Sequence, residues 1–212
     1  FSRLSGNRLV TSSQYAHPQF PMPVTVWKRA AAGWEQEAVL APAAPQDVVT
    51  CCFPLDLSGD TLVFGANGPT GSRVLEVYVR ARGGWQKEAE LAPAGLSTWI
   101  GDVALSGSRI AAAFEEADLT VTAYVFEREQ GAWRETARIP GVSASLALEG
   151  DTLVVGLPSG SLAPAGGALV FERNLGAWSA THVLAASDGW LLGREVALEG
   201  RTVGVASHHD PP

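Results

Sequence analysis

Cysteine is nearly absent: of 212 residues only Cys51 and Cys52 carry a thiol, and they are adjacent. Neighbouring cysteines rarely bridge, because the link strains the peptide between them, so a disulfide framework is excluded. Their apolar setting (Val48, Val49, Phe53) predicts two inert thiols and leaves the redox compartment open. Charge is scarce as well, at 17% of residues with a formal net of -7 and a pI near 5.1. Without a clustered Lys/Arg surface, nucleic acid is excluded as a partner. No run approaches the roughly 18 apolar residues of a membrane-spanning helix, so no membrane insertion is expected. Helical periodicity is missing too, since apolar residues alternate or run in short blocks between glycines. With no helix to follow them, neither a Gly-x-Ser-x-Gly elbow nor a phosphate-binding glycine loop can be placed. Phe1 opens the chain with no Met and no charged-then-apolar leader, which predicts a processed or truncated start.

Repetition is what the chain has in abundance. Leu169-Val170-Phe171-Glu172-Arg173 runs through Gly176 to Trp178, and the same sentence is written at Tyr124 to Trp133, Val77 to Trp85 and Val24 to Trp34. Each copy reads as an apolar strand with a basic end, a glycine turn, and a tryptophan opening the next strand. A second element, an apolar residue before a Gly turn, recurs around Gly6, Gly59, Gly107, Gly150 and Gly200, spaced 53, 48, 43 and 50 residues apart. A period of that size with about four short strands per unit is the pattern of propeller blades. The expected fold is therefore all-β, a β-propeller of four-stranded antiparallel blades, four full plus the inner half of a fifth. A single domain over 1–212 is expected, with blades at approximately 1–53, 54–101, 102–144, 145–193 and a partial 194–212. In the second blade the strands are predicted at Pro54–Ser58, Thr61–Ala66, Val74–Arg80 and Trp85–Leu91. Strand two is the most apolar, as for a strand covered on both faces. Strand four carries Glu35, Glu37, Glu88 and Glu90, read as charges that protect an outer edge.

The segment Leu184-Ala185-Ala186-Ser187-Asp188-Gly189, followed by Leu192-Gly193-Arg194-Glu195-Val196-Ala197-Leu198-Glu199-Gly200, resembles the unit of bacterial FG-GAP, integrin-α-like β-propeller repeats. Gly65-Ala66-Asn67 and Gly156-Leu157-Pro158 stand where that family has Gly-Ala-Pro, and Leu192 replaces the eponymous Phe. The resemblance covers essentially the whole chain and implies a secreted or periplasmic repeat protein, without excluding the cytoplasm. It also implies calcium held by closely spaced aspartates, but there is no Asp-x-Asp here, so calcium is not expected.

Five copies of strands one and two face only four of strands three and four. The fifth blade is thus expected to be two-stranded, completed by a partner such as a second copy, or part of a longer propeller. Loops joining strands one to two and three to four are short and alike, which turn chemistry explains. Those joining two to three, and four to the next blade, are long and divergent, and functional groups concentrate on such loops. Trp34, Trp85, Trp133 and Trp178 are one repeated packing site. Trp99 and Trp190 are not repeated, and with Tyr15, His17, Phe20, Asp102, Glu115 and Arg194 they form the expected ligand-binding set. His17, His208, His209 and Asp210 are the candidate metal ligands, of zinc or nickel type; otherwise no cofactor is expected. His182 replaces Ala38, Ala89 and Ala137 at one repeated position and is read as a locally packed substitution. The function expected is a non-catalytic binding scaffold for a protein, peptide, glycan or small molecule. The alternatives are an enzyme with acid-base or metal-assisted chemistry at the same loops, and an assembly module completed by another chain.

Overall fold

The computed structural model describes residues 1–12, 23–41, 54–68, 71–95, 97–143, 145–157, 166–185 and 192–207, and every regular element among them is a β-strand. The first sheet is β1 (Ser2–Ser5), β2 (Arg8–Ser12), β3 (Val24–Ala30) and β4 (Gly33–Leu40); the second is β5 (Leu55–Ser58), β6 (Thr61–Asn67), β7 (Arg73–Ala81) and β8 (Gly84–Leu91). The third is β9 (Ser97–Ser106), β10 (Arg109–Glu116), β11 (Val121–Glu129) and β12 (Ala132–Pro140). The fourth is β13 (Leu146–Glu149), β14 (Thr152–Leu157), β15 (Gly167–Asn174) and β16 (Ala177–Ala185), and β17 (Leu192–Glu199) with β18 (Thr202–Ser207) makes a two-stranded fifth. Strands pair with their sequence neighbours, antiparallel throughout. This is a β-propeller chain of four complete blades and half of a fifth. Two compact units divide it, Phe1–Thr98 with sheets one and two, and Trp99–Pro212 with the rest.

The turns follow from glycine. Gly6, Gly59, Gly107, Gly150 and Gly200 open the turn between strands one and two of each sheet with φ between 56° and 59°. A positive φ at the first central position is the type II′ geometry that matches strand twist and that only glycine adopts without strain. Between β11 and β12, and again between β15 and β16, Gln130-Gly131 and Leu175-Gly176 both take positive φ, the type I′ alternative.

Burial follows strand position within each sheet. β6, β10 and β14 are buried along nearly their whole length, whereas β12 and β16 are largely exposed. In the first unit Val10, Val24 and Val26 of sheet one close on Leu57, Leu62, Phe64 and Tyr78 of sheet two. In the second unit small residues of sheet three (Ala111, Ala113, Ala123, Val125) receive Leu153, Val155, Leu169, Phe171 and Trp178 of sheet four. Small against large at facing positions lets the sheets interdigitate.

Each complete sheet also carries one bulge at the same place, between strands three and four. The register slips at Val26/Trp27, Val77/Tyr78, Val125/Phe126 and Val170/Phe171. The extra strand-four residue is Glu37, Glu88, Thr136 or Thr181. A bulge breaks strict in-out alternation and re-aims the side chain it carries.

Candidate functional site

Bulge residue Glu37 leaves the edge that alternation assigns to it and points at the neighbouring sheet. Its carboxylate accepts from Arg8 Nε (2.9 Å) in its own sheet, and from Arg80 Nε (2.7 Å) and Trp85 Nε1 (3.3 Å) in sheet two. Burial pushes the Glu37 carboxyl up, but hydrogen bonds from Arg8, Arg80 and Trp85 and the charge of Arg8 outweigh it and hold it below its usual value. Sheets three and four repeat the device from another position. Glu127 on β11 accepts from Arg173 Nε (2.8 Å) and Trp178 Nε1 (3.3 Å) of sheet four, and from bulge residue Thr136 (3.1 Å). Arg109 stands 3.5 Å from the same carboxylate and reaches Asp151 of sheet four at 3.1 Å, as Arg8 reaches Asp60 at 3.0 Å. Here too burial raises the Glu127 carboxyl, and Arg173, Thr136 and Trp178 more than reverse it. The recurring arginine and tryptophan are thus the two donors of an inter-sheet clasp, closed by an acid from the preceding sheet.

The clasp explains the tryptophans unevenly. Trp85 and Trp178 are half-buried against the preceding sheet, but Trp34, expected in the same packing site, is 44% exposed because no sheet precedes its own within the first unit. Trp178→Ala is expected to cost about 2 kcal/mol and Trp34→Ala under about 0.5 kcal/mol. Urea midpoints of the two variants check this, and equal losses would contradict it.

Between sheets four and five the same space is open. A cleft of about 660 Å³ is lined by Thr152, Val170, Glu172, His182 and Leu184 from sheet four, and by Leu198, Gly200, Arg201 and Val203 from the fifth-sheet hairpin. Glu172 occupies the position of Glu127, as the pairings Thr152↔Glu172 and Arg109↔Glu127 show. Glu127 is buried and Glu172 is exposed. His182, expected to be locally packed, is exposed on the cleft wall, with its Nδ1 3.1 Å from Thr181 Oγ1. Sequence reading gave Glu172 no role, although its equivalence to Glu127 within the repeat is visible once the clasp is known.

At the loop-bearing end of sheet three, Trp99 stands near the start of β9, 38% exposed, and Glu115 and Glu116 close β10. Tyr124 Oη donates to Glu116 at 2.6 Å, under the guanidinium of Arg138 at 4.8 Å from the ring centre. Burial first, then the hydrogen bond and charge of Glu116, push the Tyr124 phenol to about 12, so it is a fixed donor at neutral pH. The Asp118 carboxylate accepts from Thr120 N–H at 2.9 Å, which holds it below its usual value. Asp102 is half-buried and bridges backbone, accepting from Val103 N–H (2.9 Å) and from Leu146 N–H of sheet four (3.2 Å). Arg194 is exposed on β17, in the stretch where the β17–β18 register slips. Trp99 and Glu115 therefore share one strand end, and Asp102 is tied into the join between sheets. Tyr15, His17, Phe20, Trp190, His208, His209 and Asp210 lie outside the described residues, as do Cys51 and Cys52; among the described residues no cluster of three or more His, Cys, Asp or Glu side chains forms a metal site.

No protein-family model matches the chain, and no curated protein sequence matches it. Among solved structures it is similar to the β-propeller domain of the Trilobed protease from Pyrococcus furiosus, described as having an open velcro topology, with a TM-score of 0.52 and 12% identity. That match covers 86% of this chain and 56% of the other, so the chain spans about half the length of the domain it resembles. The likeness is one of fold.

Proposed function

We propose that this chain is a non-catalytic binding scaffold, which presents a surface for a protein, peptide, glycan or small molecule on its loop-bearing strand ends and needs no cofactor. The observation that carries the reading is Trp99, an unrepeated tryptophan left 38% exposed on a rigid strand beside the carboxylates that end β10. An indole there offers a large contact area at little ordering cost, and the carboxylates supply polar direction. The acids the fold buries have structural work: Glu37 and Glu127 close the clasps, and Glu76 pairs with Lys87 at 3.0 Å beneath Tyr78. The resemblance of the repeat to bacterial FG-GAP units fits the same reading.

Peptide and glycan arrays probed with the wild type provide the test. For the ligand so selected, Trp99→Ala is expected to weaken binding at least about tenfold, while the unfolding free energy stays within about 1 kcal/mol of wild type. Undiminished binding would place the ligand elsewhere, and loss of fold would make Trp99 a packing residue.

A further inference from the structure

We propose that the outer edge of β16 is a self-association surface, on which the strand pairs antiparallel with the same strand of a second copy of this chain about a two-fold axis. β16 is the terminal strand of sheet four, and among the described residues no strand pairs with its outer edge. Strand four is likewise terminal in sheets one to three, where the chain continues into further sheets. This open edge therefore belongs to the repeat and not to the position of sheet four in the chain. An unpaired row of backbone N–H and C=O groups is a template for another strand unless the sequence guards it.

In the other three sheets the guard is present. β4 carries Glu35, β8 carries Lys87 and Glu90 joined at 2.9 Å, and β12 carries Glu135 and Arg138 joined at 3.1 Å. At the equivalent places, one, two and five residues after the strand's tryptophan, β16 has Ser179, Ala180 and Val183. The whole of Ala177–Ala185 contains no charged residue and no proline, and every residue from Ser179 to Val183 is exposed. Val183 is 51% exposed, and alternation puts it on the face opposite His182 and Leu184, so its exposure does not depend on the cleft they line. The bulge remains, with the Thr181 hydroxyl donating to the Val170 carbonyl at 3.2 Å. All four sheets share that bulge, so it does not set β16 apart; the missing charge does.

The missing charge also selects the occupant. A strand with charged side chains would bring them to this edge without partners and at the cost of their hydration, whereas a second β16 brings none. No register of β16 against its copy opposes like charges, and Thr181 and Val183 are β-branched residues suited to cross-strand contact. Two copies of one edge related by a two-fold axis form a closed pair, which leaves no further β16 edge to extend. The strand has nine residues, about 30 Å of edge at roughly 3.3 Å per residue. One such strand pair is small beside the roughly 1,200–2,000 Å² of a stable interface, so the expected dissociation constant is on the order of 10–100 µM.

Sedimentation velocity of the full chain, over concentrations from about 1 µM to about 500 µM, should show a monomer passing into a dimer. Two double variants, each borrowing residue types from the sister sheets, test the edge. Ala180→Lys with Val183→Arg takes the types of Lys87 and Arg138, and Ala180→Glu with Val183→Glu takes those of Glu135 and Glu90. Both should keep the wild-type melting temperature within about 3 °C, since the sites are exposed and the repeat already carries these residues there. Each alone should weaken dimerisation at least about tenfold, because every two-fold register then opposes like charges. The lysine-and-arginine variant moves the formal net charge of -7 two units toward zero, so general repulsion cannot account for its loss. An equimolar mixture of the two variants should restore the dimer, and hydrogen exchange should show β16 amides gaining protection as wild-type concentration rises. A wild type that stays monomeric throughout overturns the proposal, and so does association that survives either variant. Failure of the mixture to restore pairing also overturns it, as does open-ended assembly in place of a dimer.

Discussion

Gly193→Ala is expected to release the fifth sheet from the fourth. At Gly193 φ is +89°, a conformation disfavoured for any residue with a Cβ. A Cβ there would also run into the carbonyl oxygen of Gly167, with that of Leu157 close behind. The contact is reciprocal, because a Cβ on Gly156 would strike the Gly193 carbonyl, which already accepts from Ser143 Oγ at 2.8 Å. Backbone facing backbone cannot yield by a rotamer change, so the cost is set by undocking β17, on the order of 4 kcal/mol. Hydrogen exchange should show amides of β17 and β18 unprotected while β14 and β15 keep their protection. Wild-type protection in β17 would contradict the close approach.

Glu127→Ala is the second large effect. The side chain is 5% exposed and holds Arg173 and Trp178 of sheet four together with Thr136 of its own sheet. Its removal leaves two arginines, Arg109 and Arg173, about one-fifth exposed and without their shared acid. The change is expected to cost about 2 kcal/mol, because Trp178 and Thr136 lose their acceptor and the two arginines keep only the exposed Asp151 as counter-charge. The pH dependence has a definite sign. The Glu127 carboxyl lies below its usual 4.5 in the folded state, so its stabilisation is fully present above about pH 5. It is lost as pH falls through the lower, folded value. In urea unfolding the advantage of wild type over Glu127→Gln should therefore be constant at neutral pH and shrink below about pH 4. An advantage that grows on acidification would show that the carboxylate is not held by cations.

The fold was legible because it repeats. Turn glycines at a period near 50 residues and four copies of the aromatic, arginine and tryptophan spacing place the strands of the second sheet to within one residue. The sheet boundaries were less visible. β9 begins at Ser97, ahead of Asp102 and inside the range given to the second blade, and β17 begins at Leu192, inside the range given to the fourth. What strand alternation could not reveal is the bulge. It turns Glu37 from an edge charge into the closing acid of a clasp, and puts Thr136 within reach of Glu127. The tryptophans misled in the opposite sense. Sequence equivalence makes Trp34 and Trp178 alike, but a clasp needs a preceding sheet, and only Trp178 finds its acid within its own unit. The loop-borne half of the expected ligand set, from Tyr15 to Asp210, has no counterpart in the repeat, and its residues lie outside the described ones apart from Trp99, Asp102, Glu115 and Arg194.

An acid held by an arginine and a tryptophan of the following sheet clasps sheet one to sheet two and sheet three to sheet four. A double-mutant cycle between Glu127→Gln and Trp178→Phe, read by urea unfolding, tests this most directly. A coupling of about 1 kcal/mol between the two positions is the predicted result. Losses that simply add would contradict it.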